Sequence, residues 1–152
     1  MTPRISIQRD DFDPERIVAG LTEGRRDIGA VASFLGLCRD EGGRLAALEL
    51  EHYPGMAEEE IARIATEAGA RWPLSGLTIV HRFGLIRPGE RIVIVAAAAS
   101  HRKEAFGAAD FVMDFLKTSA PFWKREHRAD GATGDWVAAT DEDARAAEAW
   151  AR

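Results

Sequence analysis

Apolar and polar residues alternate from Arg4 to Gln8 (RISIQ), the two-residue period of a short strand. Asp13-Pro14 then supplies an N-cap with proline at the first helical position, and Ile17, Val18 and Leu21 form the apolar stripe of a short helix that Gly24 can end. The mostly apolar run Gly29–Leu37 (GAVASFLGL) predicts a buried strand, and CRDEGG after it a loop. Leu48, Leu50 and His52 alternate with Glu49, Glu51 and Tyr53, which predicts a strand over 45–53, paired with the preceding one in a hairpin. Pro54-Gly55 marks a turn. Met56, Ile61, Ile64, Ala65 and Ala68 then share one face of a helix that Trp72-Pro73 closes, with Glu58, Glu59 and Glu60 suiting the positive end of its dipole.

Two β-rich runs, Leu77–Phe83 and Arg91–Ala99, flank a turn at Pro88-Gly89. Ser100 is expected to cap the next helix, whose stripe is Phe106, Ala109, Met113 and Leu116, widened by Ala105 and Val112. Pro121 stops it, because the residue before a proline is driven out of the helical region. Phe122–His127 should be extended, with Phe122, Lys124 and Glu126 on one side and Trp123 and Arg125 on the other. A turn over Asp130–Gly134, a short strand over Asp135–Ala138 and a capped terminal helix over Thr140–Trp150 complete the chain. The order βαββαββαββα, with strands adjacent in pairs, predicts an α+β fold rather than a doubly wound parallel sheet. With no repeat and no linker, residues 1–152 are expected to be a single domain.

Composition narrows the functional classes. A chain of 152 residues with 46% hydrophobic and 30% charged residues has the make-up of one soluble globular domain. It contains no apolar run of spanning length and no secretory h-region, so neither a membrane segment nor export is expected, and a cytoplasmic location fits. A formal charge of −5 argues against nucleic acid as a general partner. One cysteine, Cys38, excludes an internal disulfide, and four histidines without metal-binding spacing point to no zinc site. Walker and dinucleotide signatures are absent, so no cofactor is expected.

Against this acidic background, Lys117–Arg128 is a basic knot. Lys117, Lys124, Arg125, His127 and Arg128 face one acid, Glu126, with Phe122 and Trp123 interleaved as core or interface residues. Lys117, at a helix end, and Lys124, beyond the proline break, can converge on one pocket, and each charge would ease loss of the other's proton. Ser100-His101-Arg102 lies where a strand turns into a helix, a place suited to a phosphate. Arg39 sits in the loop after the apolar strand. Each of these motifs taken singly also fits solvated surface charge, and together they reach an α+β domain with an anion-binding pocket.

A more specific reading comes from the motifs FLGLCR (34–39), LEHYPGM (50–56), RWPL (71–74), HRFG (81–84), PGE (88–90), SHR (100–102) and MDFLKTSAPFWKRE (113–126). In this order and spacing they resemble the large, catalytic subunit of molybdopterin synthase along nearly the whole chain. The resemblance implies an α/β hammerhead with an additional antiparallel β subdomain. It implies a sulfurtransferase of molybdenum cofactor biosynthesis that inserts two sulfurs into cyclic pyranopterin monophosphate to form the dithiolene of molybdopterin. Sulfur would arrive as a thiocarboxylate on the C-terminal Gly-Gly tail of a small ubiquitin-like subunit, with a homodimer forming the core of a heterotetramer. Carried over by motif, Lys117 and Lys124 are the expected catalytic residues. Arg39, His101, Arg102, Arg125 and Glu126 would join them in binding substrate. The alternatives are a non-catalytic homologue that binds the small subunit or pterin, and a persulfide sulfurtransferase that uses Cys38.

Overall fold

The computed structural model describes residues 1–138 and 141–151. Eleven elements follow in the order β1 (Arg4–Gln8), α1 (Pro14–Thr22), β2 (Ala30–Leu37), β3 (Leu45–His52), α2 (Met56–Arg71), β4 (Leu74–Arg82), β5 (Gly84–Ile86), β6 (Arg91–Ala99), α3 (Arg102–Thr118), β7 (Phe122–Arg128) and α4 (Asp141–Ala149). They form a four-stranded sheet, β1-β4-β6-β2, and a three-stranded sheet, β5-β3-β7. The first is mixed, with β1 parallel to β4 and the other pairs antiparallel. The second is wholly antiparallel.

The larger sheet carries the main core. β6 is buried from Val93 to Ala99, the near-continuous apolar run of a strand covered on both faces. Leu77 and Ile79 of β4, with Val93, Val95, Ala97 and Ala99 of β6, pack beneath α2 and α3. α2 contributes Ile61, Ile64, Ala65 and Ala68, and α3 contributes Ala105, Ala108, Phe111, Val112 and Leu116. Small residues let these layers close tightly. A Cβ on Gly107 would lie 3.0 Å from the Trp72 indole, so glycine there sets how near α3 comes to the end of α2.

Several local expectations hold. Asp13 Oδ1 accepts from the amides of Glu15 and Arg16 with Pro14 at the first helical position, and α2 starts after the Pro54-Gly55 turn, where Glu58 makes a contact the sequence reading did not foresee, accepting from the Gly55 amide. β4 and β6 pair antiparallel, as two runs around a turn suggest.

Others are corrected. β2 and β3 do not form a hairpin: β2 pairs with β6 and β3 with β5 and β7, so the loop between them crosses from one sheet to the other. Nor is β2 a buried strand. It is the sheet's edge, and Phe34, Leu35 and Leu37 are 44%, 39% and 53% exposed. An apolar run signals an apolar environment but cannot distinguish core from an uncovered edge within one chain.

Ser100 does not cap α3. Its hydroxyl donates to the Asp27 carbonyl, and His101 occupies the cap position without a side-chain hydrogen bond to the helix. Phe106 points out of the core at 66% exposure while Phe111 is fully buried, because α2 and α4 pack on the flank of α3 opposite Phe106 and widen its covered face. The short strand β5 went unforeseen, and Asp135–Ala138 forms no strand. Thr133 and Val137 make isolated bridges to His127 and Lys124 instead. The expected cap at Thr140 lies outside the described residues.

Candidate functional site

The two sheets meet at a cleft of about 1410 Å³. Its walls are the exposed end of β2, the loop that follows, the last turn of α3 and the start of β7. The local sequence explains the shape. α3 stops at Thr118, and Pro121 cannot continue it, so the chain leaves the helix and enters β7 within three residues. This break puts Lys117, on the helix, and Lys124, on the strand, along one cleft. Lys124 is held by its backbone, whose N–H and C=O both bond to Val137, at 2.9 and 2.7 Å. Neither amine has a hydrogen-bond or ion-pair partner among the described residues. Two lysine side chains without a bonded partner along one cavity make it a candidate anion site.

Arg39 stands at the same cleft, on the loop after β2. The loop is pinned where Cys38 N–H donates to Glu90 O at 2.8 Å and Gly89 N–H to Cys38 O at 2.7 Å. The Arg39 guanidinium is 81% exposed and pairs with Glu41 at 2.5 Å, a contact that an incoming phosphate can replace. Glu126 also lines the cleft, as do Arg128, a member of the basic knot that the family motifs did not carry into the site, and Arg44, which the sequence reading passed over.

Strand alternation places Arg125 on the opposite face of β7. There it donates to Glu49 at 2.8 Å and lies over the Trp136 ring at 4.4 Å. His127 shares the same carboxylate at 2.8 Å, and these two partners hold the Glu49 carboxyl below its ordinary range. Arg125 is therefore not brought together with the cleft cations. His101 and Arg102 are separated from them as well. They stand exposed at the start of α3, and Arg102 lies fifteen residues from Lys117 along the helix, a rise of roughly 22 Å.

Cys38 lies in the cleft wall with only 3% exposure, and its Sγ donates to Ile86 O at 3.7 Å. Burial first, and then the Glu90 carboxylate, push its thiol above the ordinary value, so it is held as a thiol. A residue missed from the sequence is His81, which lines the same cleft. It is 9% exposed, its ring stacked on Phe122 at 3.9 Å and 16°. Its signal was the alternation of β4, since Leu77, Ile79 and His81 fall on one side and the first two are core. Among the described residues no cluster of three or more His, Cys, Asp or Glu side chains is placed to hold a metal ion. No helix among them is long and apolar enough to cross a membrane.

An α+β domain with a basic cleft at a helix-to-strand break is the class these observations define. The chain belongs to the MoaE protein family, whose model matches residues 7–119. It is 63% identical over 150 residues to the molybdopterin synthase catalytic subunit of Mesorhizobium japonicum, an alignment covering 99% of this chain and 94% of that one. Among solved structures, the molybdopterin biosynthesis MoaE protein from Burkholderia ambifaria superposes with a TM-score of 0.84 at 49% identity, with 99% of each chain covered. Molybdopterin synthase from Staphylococcus aureus gives 0.77 at 30% identity, covering 86% of this chain and 94% of that one.

Proposed function

We propose that this chain is the catalytic subunit of a molybdopterin synthase and that its cleft transfers sulfur to cyclic pyranopterin monophosphate. The observation that carries the reading is the pair of partnerless lysines, Lys117 and Lys124, along one cleft in a chain that closely matches catalytic subunits of that enzyme. The sulfur donor is a thiocarboxylate at the Gly-Gly tail of a small ubiquitin-like subunit. For each sulfur, a C–S bond to the precursor forms as a C–O bond at that carbon breaks, its oxygen leaving as water or on the opened phosphate, and the thiocarboxylate's own C–S bond breaks. Water supplies the oxygen that leaves the tail as a carboxylate.

Donor and precursor are both anions, so bringing them together needs fixed positive charge, which Lys117, Lys124 and Arg39 supply. Lys117 stabilises charge as the thiocarboxylate carbon loses sulfur and moves a proton in that step, and Lys124 supports it. His101 and Arg102 are suited to the precursor's phosphate, but one copy of the chain holds them roughly 22 Å from Lys117. Their part in the reaction therefore requires a dimer in which one copy's α3 start completes its partner's cleft. Arg125 acts on the fold of β7.

Purified chain mixed with thiocarboxylated small subunit and precursor should form dithiolene. Binding of both without product would leave only the non-catalytic homologue.

A further inference from the structure

A second groove, of about 560 Å³, lies on the far face of the four-stranded sheet and shares no lining residue with the cleft. Leu77 and Ile79 of β4 point into the core beneath α2 and α3, so Thr78 and Val80 turn to the other face, where α1 lies. Two glycines shape the groove. Gly76 lets α1 settle on β4, since a Cβ there would lie 2.8 Å from Leu21 Cδ2. Gly20 leaves a gap, because a Cβ on it would meet nothing within 4 Å. One side of α1, formed by Arg16, Ile17, Gly20 and Leu21, thus faces the strand pair β1 and β4 across the groove.

No carboxylate lines this groove, although the chain as a whole carries a formal charge of −5. Arg4, Arg16 and Arg25 do line it. Arg25 is engaged within the fold: its Nε and Nη2 donate to the two Asp27 carboxylate oxygens at 3.0 and 2.8 Å, and Nη1 donates to Ser75 O at 3.2 Å. Arg4 and Arg16 have no hydrogen-bond or ion-pair partner among the described residues. The strand register sets Arg4 beside Thr78, with both side chains on the same face. Thr78 is only 7% exposed, and its hydroxyl, without a partner among the described residues, opens on the groove. We propose that this groove binds a small organic phosphate, its phosphoryl oxygens taken by the Arg4 and Arg16 guanidiniums and the Thr78 hydroxyl, its organic body set against Ile17, Leu21 and Val80. A planar carboxylate matches a single guanidinium fork. A phosphate monoester offers three oxygens and close to two charges, enough for two arginines and a hydroxyl. One of those oxygens completes the hydrogen bond that Thr78 lacks.

The test titrates the whole chain with phenyl phosphate in a phosphate-free, low-salt buffer and reads amide resonances residue by residue. Gly20, Gly76 and Thr78 should shift together and saturate, separately from any response of Arg39 and Lys124 in the cleft. Arg4→Gln and Arg16→Gln should each weaken binding at the groove about tenfold, the loss of one charge-assisted hydrogen bond. Thr78→Val keeps the side chain's shape and should weaken it about threefold. Inorganic phosphate, which lacks the organic body, should bind there about tenfold more weakly than phenyl phosphate. Arg4 and Arg16 are exposed, so replacing them leaves the core intact, and each variant's amide spectrum reports its folding. No saturable shift at Gly20 and Gly76, or unchanged affinity there in the double variant Arg4→Gln/Arg16→Gln, would overturn the proposal. So would inorganic phosphate binding as tightly as the ester, or shifts confined to the cleft. Neither precursor nor small subunit is present, so the outcome is independent of the sulfur-transfer reading.

Discussion

The two ends of α3 look alike in sequence and differ in what the fold does with them. At the start stand His101, Arg102 and Lys103, exposed to solvent where the apolar strand β6 ends. At the finish stands Lys117, also exposed, but facing a cleft walled by β2, β7 and the loop that carries Arg39. The helix start could attract an anion through its free N–H groups and positive dipole end. It nevertheless has no second wall, and water screens a lone exposed cation. The helix finish has the opposite dipole, yet the break at Pro121 folds a second lysine back along the same cavity. Within one copy of the chain, enclosure by a neighbouring strand, more than local charge count, separates the candidate cleft from the open start of the helix.

The sharpest way to break this contrast is to remove Lys117. If its work is done in the transition state, Lys117→Ala should lose about 10²–10⁴ in turnover and still bind precursor and small subunit. An equal loss of affinity would make it a binding residue. Lys117→Arg keeps the charge but not the readily lost proton. Near-normal product from that variant would reduce Lys117 to an electrostatic clamp.

The next effect concerns the other end of the helix. Arg102→Ala should weaken precursor binding by about tenfold or more, the value of one charge-assisted hydrogen bond, with little change for the small subunit. The contrast predicts more than a loss. If two copies complete one cleft, a mixture of Arg102→Ala and Lys117→Ala chains contains mixed dimers with one intact cleft and one doubly defective cleft. Random exchange should then restore about a quarter of wild-type turnover. A mixture no more active than its components would show that Arg102 acts within its own chain or not at all.

How much of this was legible beforehand depended on the distance over which each rule acts. Helix starts and stops are local, so Asp13, Pro14 and Pro121 marked their elements well. Strand alternation is local too, and it put Lys124 and Glu126 on one face of β7 and Arg125 on the other. The motif that carried the family resemblance drew Arg125 into the site despite that alternation. Partner choice among strands is not local: nothing in Leu45–His52 says that it pairs with Phe122–Arg128 rather than with the adjacent β2. The same limit hid His81, whose neighbour Phe122 is forty-one residues away in the chain. It also placed Phe34, Leu35 and Leu37 in a core that one copy of the chain does not build around them.

Smaller effects test whether Arg125 belongs to the fold. Glu49 accepts from both His127 and Arg125, which lowers its pKa in the folded chain below the ordinary 4.5. A carboxyl depressed on folding contributes its full stabilisation above 4.5 and loses it as pH falls through the folded value. Glu49→Gln should therefore cost about 1 kcal/mol at pH 7, and the gap from wild type should close in acid. Denaturant melts at the two pH values decide this. A gap of the same size at both would mean that Glu49 acts through packing, and a large loss of precursor affinity would return Arg125 to the site.

The smallest effect is expected at Cys38, although it lies in the cleft wall itself. A persulfide carrier must present a thiolate, which is favoured by exposure and neighbouring positive charge. Cys38 has the reverse environment. It is 3% exposed, donates to the Ile86 carbonyl at 3.7 Å, and is pushed toward the thiol by burial and by Glu90. Its nearest cation in sequence, Arg39, is 81% exposed and engaged by Glu41. Serine keeps a donor for Ile86 and loses only the larger sulfur, so Cys38→Ser should fold normally and retain most dithiolene formation when thiocarboxylated partner is supplied. A folded Cys38→Ser chain without turnover would move the sulfur path from the lysine pair onto the wall and revive the persulfide route.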